Sequence, residues 1–343
     1  MRGNLKSPEE TAAFAHWLGL WSDIKATEPE QVRVTAPASG WSNETIIADI
    51  GRQRVVVRMA PTRLSMFPDY DLDKEWRIIH ALHQRGRPPV ARPIAEDLAG
   101  TLFGRPFFVM SFVDGIVPSD NKPTYAERGW LIDAEVPRRV QFWDGFMAAM
   151  VAVHQTDWRA SDLSRLAPPA GTSSLAAAVD WLQALHRWSD APQPEIERAF
   201  RRLRDTMPDD PGNDVLLWGD ARPANVLVRD FRIAALLDWE LATVGPPEMD
   251  VAWFQEMHWM RTVGSGVALP EGFPDDGQIA ATCEGLSGKA LTEPGWYRLL
   301  AATKVAVLLY RHLVVAIHRG AMPAGHPLLT ENIATRRLAD LLA

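Results

Sequence analysis

Trp218-Gly219-Asp220-Ala221-Arg222-Pro223-Ala224-Asn225, followed by Leu237-Asp238-Trp239-Glu240, is the stretch from which the fold of this 343-residue chain is read. The first piece leaves the apolar run Val215-Leu216-Leu217, and the second ends the apolar run Ile233-Ala234-Ala235-Leu236-Leu237. Between them Val226-Leu227-Val228 reads as a further short strand, with Arg229 to Arg232 as the turn. Two strands of a hairpin would hold Asp220, Asn225 and Asp238 near one another. A carboxylate, an amide and a second carboxylate at one rim are hard oxygen ligands, which suit Mg²⁺ and a nucleotide phosphate chain. Asp and Asn are also common turn residues, so the triplet gains its weight from the motifs around it.

An Asp, an Asn five residues on, and an Asp after the next hairpin resemble the catalytic core of protein-kinase-like phosphoryl-transfer enzymes. The spacing and the Asp238-Trp239-Glu240 ending are more similar to the aminoglycoside phosphotransferase family than to protein kinases. Within that family, the wording around Asp220 and Leu237-Asp238-Trp239-Glu240-Leu241-Ala242 resembles the branch found fused to acyl-CoA dehydrogenases. Recognisable motifs cover roughly residues 30 to 260. The resemblance implies an α+β, protein-kinase-like two-lobed fold. A small antiparallel β-sheet lobe would take residues 1–113, with a leading helix at about 7–21, and a larger, mainly α-helical lobe residues 114–343. It implies Asp220 as the base for a substrate hydroxyl, Asn225 and Asp238 as Mg²⁺ ligands, and Arg222 as a cation for the transferring phosphoryl group. The other reading of Arg222 is a salt bridge to a nearby acidic residue. Trp218 stands where the family has His, at a position that packs beneath the catalytic loop.

In the small lobe, Ser7-Pro8-Glu9-Glu10 is a helix start, and Phe14, Trp17, Leu18 and Trp21 follow at helical spacing. Strand patterns lie at 31–36, 44–50 and 54–59. The turn between the first two is small and polar, and by resemblance Ser39, Gly40, Ser42 and Asn43 would fold over nucleotide phosphates. Arg58, on the third strand, stands where kinases carry a phosphate-gripping Lys; Arg is bulkier but binds phosphate in bidentate fashion. Glu75 lies in the first turn of a helix over 71–85, where the fold places the partner of that cation. The helix dipole alone would also favour an acidic residue there. His80 and His83 are three apart on this helix and lack an evident third metal ligand. Strands at 92–96 and 106–113 complete the sheet. The resemblance puts the adenine hinge at the end of the latter, using the Ser111 carbonyl and the Val113 N–H with Met110 behind the ring.

In the large lobe a polar loop at 119–135 precedes a helical pattern at 137–157, and further helices are expected at 175–188 and 195–207. His154 reads as a helix-end histidine satisfied by a backbone carbonyl, and the arginines at 198, 201, 202 and 204 as a solvated face. By resemblance Asp250 braces the catalytic loop through backbone N–H groups. Helical patterns at 276–286, 294–318 and 328–343 form the region where the family builds its substrate pockets. The stretch Gly285-Leu286-Ser287-Gly288-Lys289-Ala290 echoes a P-loop but has Cys283 and Ala290 at two required positions. The chain carries no GxGxxG, GxSxG or HExxH pattern, which excludes the common dehydrogenase, hydrolase and metalloprotease readings.

A net charge of −7 points away from nucleic acid and from anionic membranes as partners. A single cysteine, Cys283, leaves no internal disulfide and fits a reducing, cytoplasmic setting. No signal-peptide pattern is present, and the apolar run 299–317 is interrupted by Lys304, Arg311 and His312, as in a buried helix. The expected activity is transfer of the γ-phosphoryl of ATP or GTP, with Mg²⁺, to a small-molecule alcohol. Membership of the broad family implies aminoglycosides, and the dehydrogenase-fused branch implies a hydroxylated acyl thioester or another metabolic alcohol. A nucleotide-binding protein with little catalysis is the rival from another class. Oligomeric state is not legible.

Overall fold

The structure, a computed structural model, describes residues 5, 7–24, 32–35, 43–61, 64, 66–189, 193–209 and 212–343. Its contacts divide the chain into two compact units, one of residues 1–86 and 90–114, the other of residues 87–89 and 115–343.

The first unit is built on a five-stranded antiparallel sheet. Its strands are β1 (Val32–Thr35), β2 (Glu44–Ile50), β3 (Gln53–Met59), β4 (Pro93–Asp97) and β5 (Phe107–Ser111), in the order β1-β2-β3-β5-β4. Period-2 alternation in β2 and β3 turns Ile46, Ala48, Ile50, Val55, Val57 and Met59 to one buried face. Helix α1 (Pro8–Trp21) covers that face, inserting Phe14 and Leu18, with Trp17 edge-on to Phe107 at 4.9 Å. Its start is the expected capping box: Ser7 Oγ accepts from Glu10 N at 3.1 Å, and Glu10 accepts from Ser7 N at 3.3 Å. Helix α2 (Leu72–Arg85) is capped by Asp71 and ends at Gly86 with φ +73°, a left-handed turn that costs glycine nothing.

The second unit is mainly helical. Helices α3 (Val136–His154), α4 (Ser174–Trp188) and α5 (Pro194–Asp205) precede the short strands, and α6 (Glu248–Arg261), α7 (Asp276–Ser287), α8 (Pro294–His318) and α9 (Ile333–Leu341) follow them. The last helix begins five residues later than the sequence pattern suggests, because Pro327–Leu329 forms a separate 3₁₀ turn and Asn332 supplies the cap. Helix α5 behaves as its pattern dictates, burying Ile196, Ala199, Phe200 and Leu203 and leaving its arginines to solvent.

Two small ribbons sit within this unit. Strands β7 (Val226–Arg229) and β8 (Arg232–Leu236) form the expected hairpin. Its turn residues Asp230 and Phe231 both take positive φ, 47° and 58°, as a two-residue hairpin with right-handed twist requires. Phe231 bears that conformation while packed edge-on against Trp130 at 5.4 Å. Strand β6 (Val215–Leu217) does not join this hairpin. It pairs with β9 (Thr243–Gly245), a three-residue strand that the sequence pattern did not mark.

Among the described residues, α8 is the helix long and apolar enough to cross a membrane by length and composition, and 67% of its most apolar window is buried inside the structure. Its charges have internal uses. Lys304 donates to the Gly219 carbonyl, and the guanidinium of Arg311 lies 3.9 Å from the centre of the Trp188 ring. Cys283 is also interior, and burial pushes its thiol up to about 12, so it stays protonated and inert.

Candidate active site

In the second unit the chain leaves β6 into Trp218, Gly219 and Asp220. Gly219 has φ +81°, and a Cβ there would lie 2.0 Å from the Leu241 carbonyl oxygen, so only glycine lets the two loops approach. Asp250, in the first turn of α6, fixes this bend. Its Oδ2 accepts from Trp218 N at 2.8 Å and its Oδ1 from Gly219 N at 2.9 Å. His154 completes the brace with Nε2 3.0 Å from Asp250 Oδ2, a carboxylate partner where a backbone carbonyl was expected. Trp218 is fully buried beneath the loop, its indole N–H donating to the Leu237 carbonyl at 2.8 Å.

Asp220 and Asn225 are brought together directly. Asn225 Nδ2 donates to Asp220 Oδ2 at 2.7 Å and to the Asp220 carbonyl at 3.0 Å. Asp238 arrives by a different route from the simple hairpin of the sequence reading. The hairpin aligns Asn225 with the residues after β8, and Leu237 N donates to the Asn225 carbonyl at 2.8 Å, which sets Asp238 beside it. Asp238 itself has φ +61°, a left-handed position that redirects the chain after β8. Asp220, by contrast, comes from the separate β6–β9 ribbon and is tied in by the Asn225 amide.

Arg222 adopts the salt-bridge reading. Its Nε donates to Asp220 Oδ2 at 2.9 Å and its Nη1 pairs with Asp120. Asp120 also takes Arg261, at 2.7 Å and 2.9 Å, so carboxylates and guanidiniums alternate along Asp220, Arg222, Asp120 and Arg261. Burial works to lower the Arg222 pKa, but the charges of Asp220, Asp120 and Asp238 outweigh it and the guanidinium is held firmly charged. For Asp120, burial works upward, and the two arginines overcome it to hold the carboxyl below its ordinary value.

Three contributors were not marked by the sequence. Asp120 and Arg261 lie 141 residues apart, and no local pattern announces their pairing. Trp253, at 3% exposure, donates Nε1 to Asp220 Oδ1 at 2.9 Å, and Lys304 lies 4.3 Å from the centre of its ring. Before folding, Trp253 is one more apolar residue on a core helix.

In the first unit, Arg58 on β3 donates Nε to Glu75 Oε2 at 3.3 Å and Nη1 to Thr45 Oγ1 at 3.3 Å. Glu75 is 2% exposed, deeper than a dipole-only role at a helix start requires. Asn43, expected over phosphates, donates its amide nitrogen to Glu75 Oε1 at 2.7 Å. Ser39, Gly40 and Ser42 lie outside the described residues. Met110 and Ser111 end β5, paired with Val56 and Val55, and Ser111 Oγ accepts from Arg92 N at 2.9 Å. Val113 lies two residues beyond the strand, in the irregular segment where the hinge was expected.

Mg²⁺ fits the donor set of the second unit. The nitrogen of the Asn225 amide is occupied by Asp220, which leaves the amide oxygen to face a cation, and Asp238 adds a carboxylate one residue from the Leu237–Asn225 bond. Among the described residues no group of three or more His, Cys, Asp or Glu side chains forms a separate metal site.

A five-stranded antiparallel sheet carrying a paired strand cation, followed by a helical unit with a braced Asp and a neighbouring Asn, defines a small-molecule-kinase type of protein. The chain belongs to the phosphotransferase enzyme family (APH), whose family description matches residues 33–300. That membership places it among phosphotransferase enzymes. Acyl-CoA dehydrogenase family member 11 of Mus musculus is 26% identical over 262 residues, which is 75% of this chain and 32% of the mouse protein. The chain thus spans about a third of the length of the curated relatives it matches. A crystal structure from Ralstonia eutropha, described as a candidate aminoglycoside phosphotransferase, superposes with TM-score 0.73 at 21% identity, covering 97% of this chain and 95% of that one. A thermostable mutant aminoglycoside phosphotransferase in ternary complex with AMP-PNP and hygromycin B gives TM-score 0.55 at 16% identity, covering 91% and 94%. At these identities the structural likeness establishes the two-lobed α+β fold.

Proposed function

We propose that the protein transfers the γ-phosphoryl group of ATP, with Mg²⁺, to the hydroxyl of a small-molecule alcohol. The observation that carries this reading is the joining of Asp220 to Asn225 by a 2.7 Å hydrogen bond on a loop braced by Asp250. Asp220 orients the acceptor hydroxyl and takes its proton; a carboxylate suffices, because the proton moves late in a loose transition state. Asn225, through its amide oxygen, and Asp238 would hold Mg²⁺, which supplies charge neutralisation along the triphosphate. Arg222 keeps Nη2 as a donor for a phosphoryl oxygen, its Nε and Nη1 being held by Asp220 and Asp120. In the first unit Arg58, steadied by Glu75, grips the phosphates, and the end of β5 receives the adenine.

Acceptor chemistry divides between polycationic amino-sugars and other alcohols. A binding cluster for an amino-sugar needs carboxylates, and four of those between α6 and α8 have partners within the chain, whereas the carboxylate of Glu271 is exposed. Glu256 pairs with Arg337, Asp276 with Arg298, Glu284 accepts from Leu291 N, and Asp275 caps α7. The acceptor is thus an amino-sugar or another alcohol such as a hydroxylated acyl thioester, and the panel below separates the two.

The test is ADP release from MgATP across a panel of alcohols that includes hygromycin B and hydroxyacyl thioesters, run with wild type and Asp220→Ala. Wild-type turnover with one acceptor, lowered by several orders of magnitude in a variant that still binds nucleotide, is the expected result. Equal turnover in the variant removes Asp220 from the mechanism. A nucleotide-dependent thermal shift with no transfer to any acceptor replaces the reading with nucleotide binding alone.

A further inference from the structure

The two oxygens of Asp220 are not equivalent. Oδ2 receives Asn225 Nδ2 at 2.7 Å and Arg222 Nε at 2.9 Å. Among the described residues, Oδ1 receives only Trp253 Nε1, at 2.9 Å. A carboxylate offers about four acceptor positions, two on each oxygen. Oδ2 is therefore filled, and one position remains on Oδ1. We propose that Trp253 is the positioning residue that presents Oδ1 of Asp220 as the atom receiving the acceptor's proton. The inference rests on Asp220 being the base.

The surroundings of Trp253 suit that task. Its ring is interior on α6 and cannot swing away, so the N–H direction is fixed by packing. The Lys304 ammonium over the ring draws electron density from the indole and strengthens N–H donation, while its bond to the Gly219 carbonyl ties the same cation to the residue before the base. Three elements thus set one carboxylate: the loop holding Asn225 and Arg222 fixes Oδ2, α6 fixes Oδ1, and α8 fixes α6's indole. In the transfer, the acceptor oxygen bonds to the γ-phosphorus and the hydroxyl proton passes to Oδ1. The bond from that phosphorus to the bridging oxygen breaks, and its electron pair leaves on the nucleoside diphosphate. A carboxylate rotated away from this line would bind substrates normally and turn them over slowly.

Replacing Trp253 by β-(3-benzothienyl)alanine, through site-specific incorporation, keeps the ring shape and exchanges only the N–H for sulfur. ADP release from MgATP, with water and with the alcohol identified by the panel, is expected to show kcat lowered roughly ten-fold or more and KM for both substrates within about two-fold. Wild-type kcat in this enzyme overturns the proposal. Trp253→Phe is a second route to the same comparison. A readout independent of turnover is the indole N–H resonance of Trp253, assigned by its loss in Trp253→Phe. It is expected to move upfield in Asp220→Ala, and an unmoved resonance also overturns the proposal. Full turnover in Asp220→Ala would instead sink the base itself, whereas an inactive Asp220→Ala beside a fully active Trp253 analogue sinks only the positioning role.

Discussion

Asp250 receives the backbone N–H of Trp218 at 2.8 Å while itself only 1% exposed, so a buried carboxylate from α6 holds the peptide two residues ahead of the candidate base. With the Gly219 N–H on its other oxygen and His154 alongside, this carboxylate replaces the water that a tight, left-handed bend would otherwise need. The bend can then lie inside the protein, where its geometry is fixed.

Asp250→Asn keeps the shape and one acceptor oxygen but turns an N–H₂ towards a backbone donor. One buried N–H loses its partner, and stability is expected to fall by about 1–3 kcal/mol. Turnover should fall at least ten-fold, because the loop carrying Asp220 loosens. Urea unfolding and kcat measure both, and a variant matching wild type in both would show that the brace is dispensable.

Asp238→Ala is expected to weaken nucleotide binding only when Mg²⁺ is present, by ten-fold or more, since the side chain's assigned partner is the cation. Titration calorimetry with ATP, in magnesium and in a chelator, separates the two conditions. An equal affinity for MgATP in variant and wild type contradicts the metal role.

Arg58→Met removes the cation from Glu75, whose side chain is only 3% exposed. The loss is expected to cost about 1–3 kcal/mol of stability, and Arg58→Lys should recover a good part of it. If the Lys and Met variants melt together, the ion pair contributes nothing and Arg58 serves the ligand alone.

Mild acid should weaken the fold through a buried histidine. His258 is buried with Nδ1 2.9 Å from the Tyr125 hydroxyl, and burial lowers its pKa from 6.5 to about 4, against a small opposing effect of a backbone hydrogen bond at Pro274. Between those values the unfolded chain binds a proton that the folded chain refuses. Stability therefore falls as pH drops from about 6.5 to about 4, by roughly 3 kcal/mol at most, and this contribution is constant below that. Burial lowers His186 and His312 as well, in the same direction. In His258→Asn the slope of unfolding free energy against pH should flatten in this window; parallel curves for variant and wild type would refute the assignment.

The regular elements were legible because their causes are local. Ser7 to Glu10 specify a helix start, the strand patterns at 44–50 and 54–59 specify a half-buried ribbon, and the four arginines of α5 sit opposite its apolar stripe. Strand β9 was missed because three residues carry no periodicity, and it exists only through pairing with β6. The late start of α9 follows from a cap at Asn332 that competes with the earlier proline turn. The bond from Asn43 to Glu75 was not legible, because nothing in the neighbourhood of Asn43 foretells a partner 32 residues away.

By itself the sequence determined the family and most of the order of the elements, and it singled out Asp220, Asn225 and Asp238 as candidates, because a short-range motif encodes types and spacings of side chains. The tertiary structure alone decided which atoms of Asp220 and Arg222 are already engaged. That Oδ2 of Asp220 is filled and Oδ1 is not, and that Arg222 is shared with Asp120, depends on Trp253, Arg261 and Lys304 arriving from distant helices. Hydrogen-bond capacity is consumed in three dimensions, and no spacing along the chain records it.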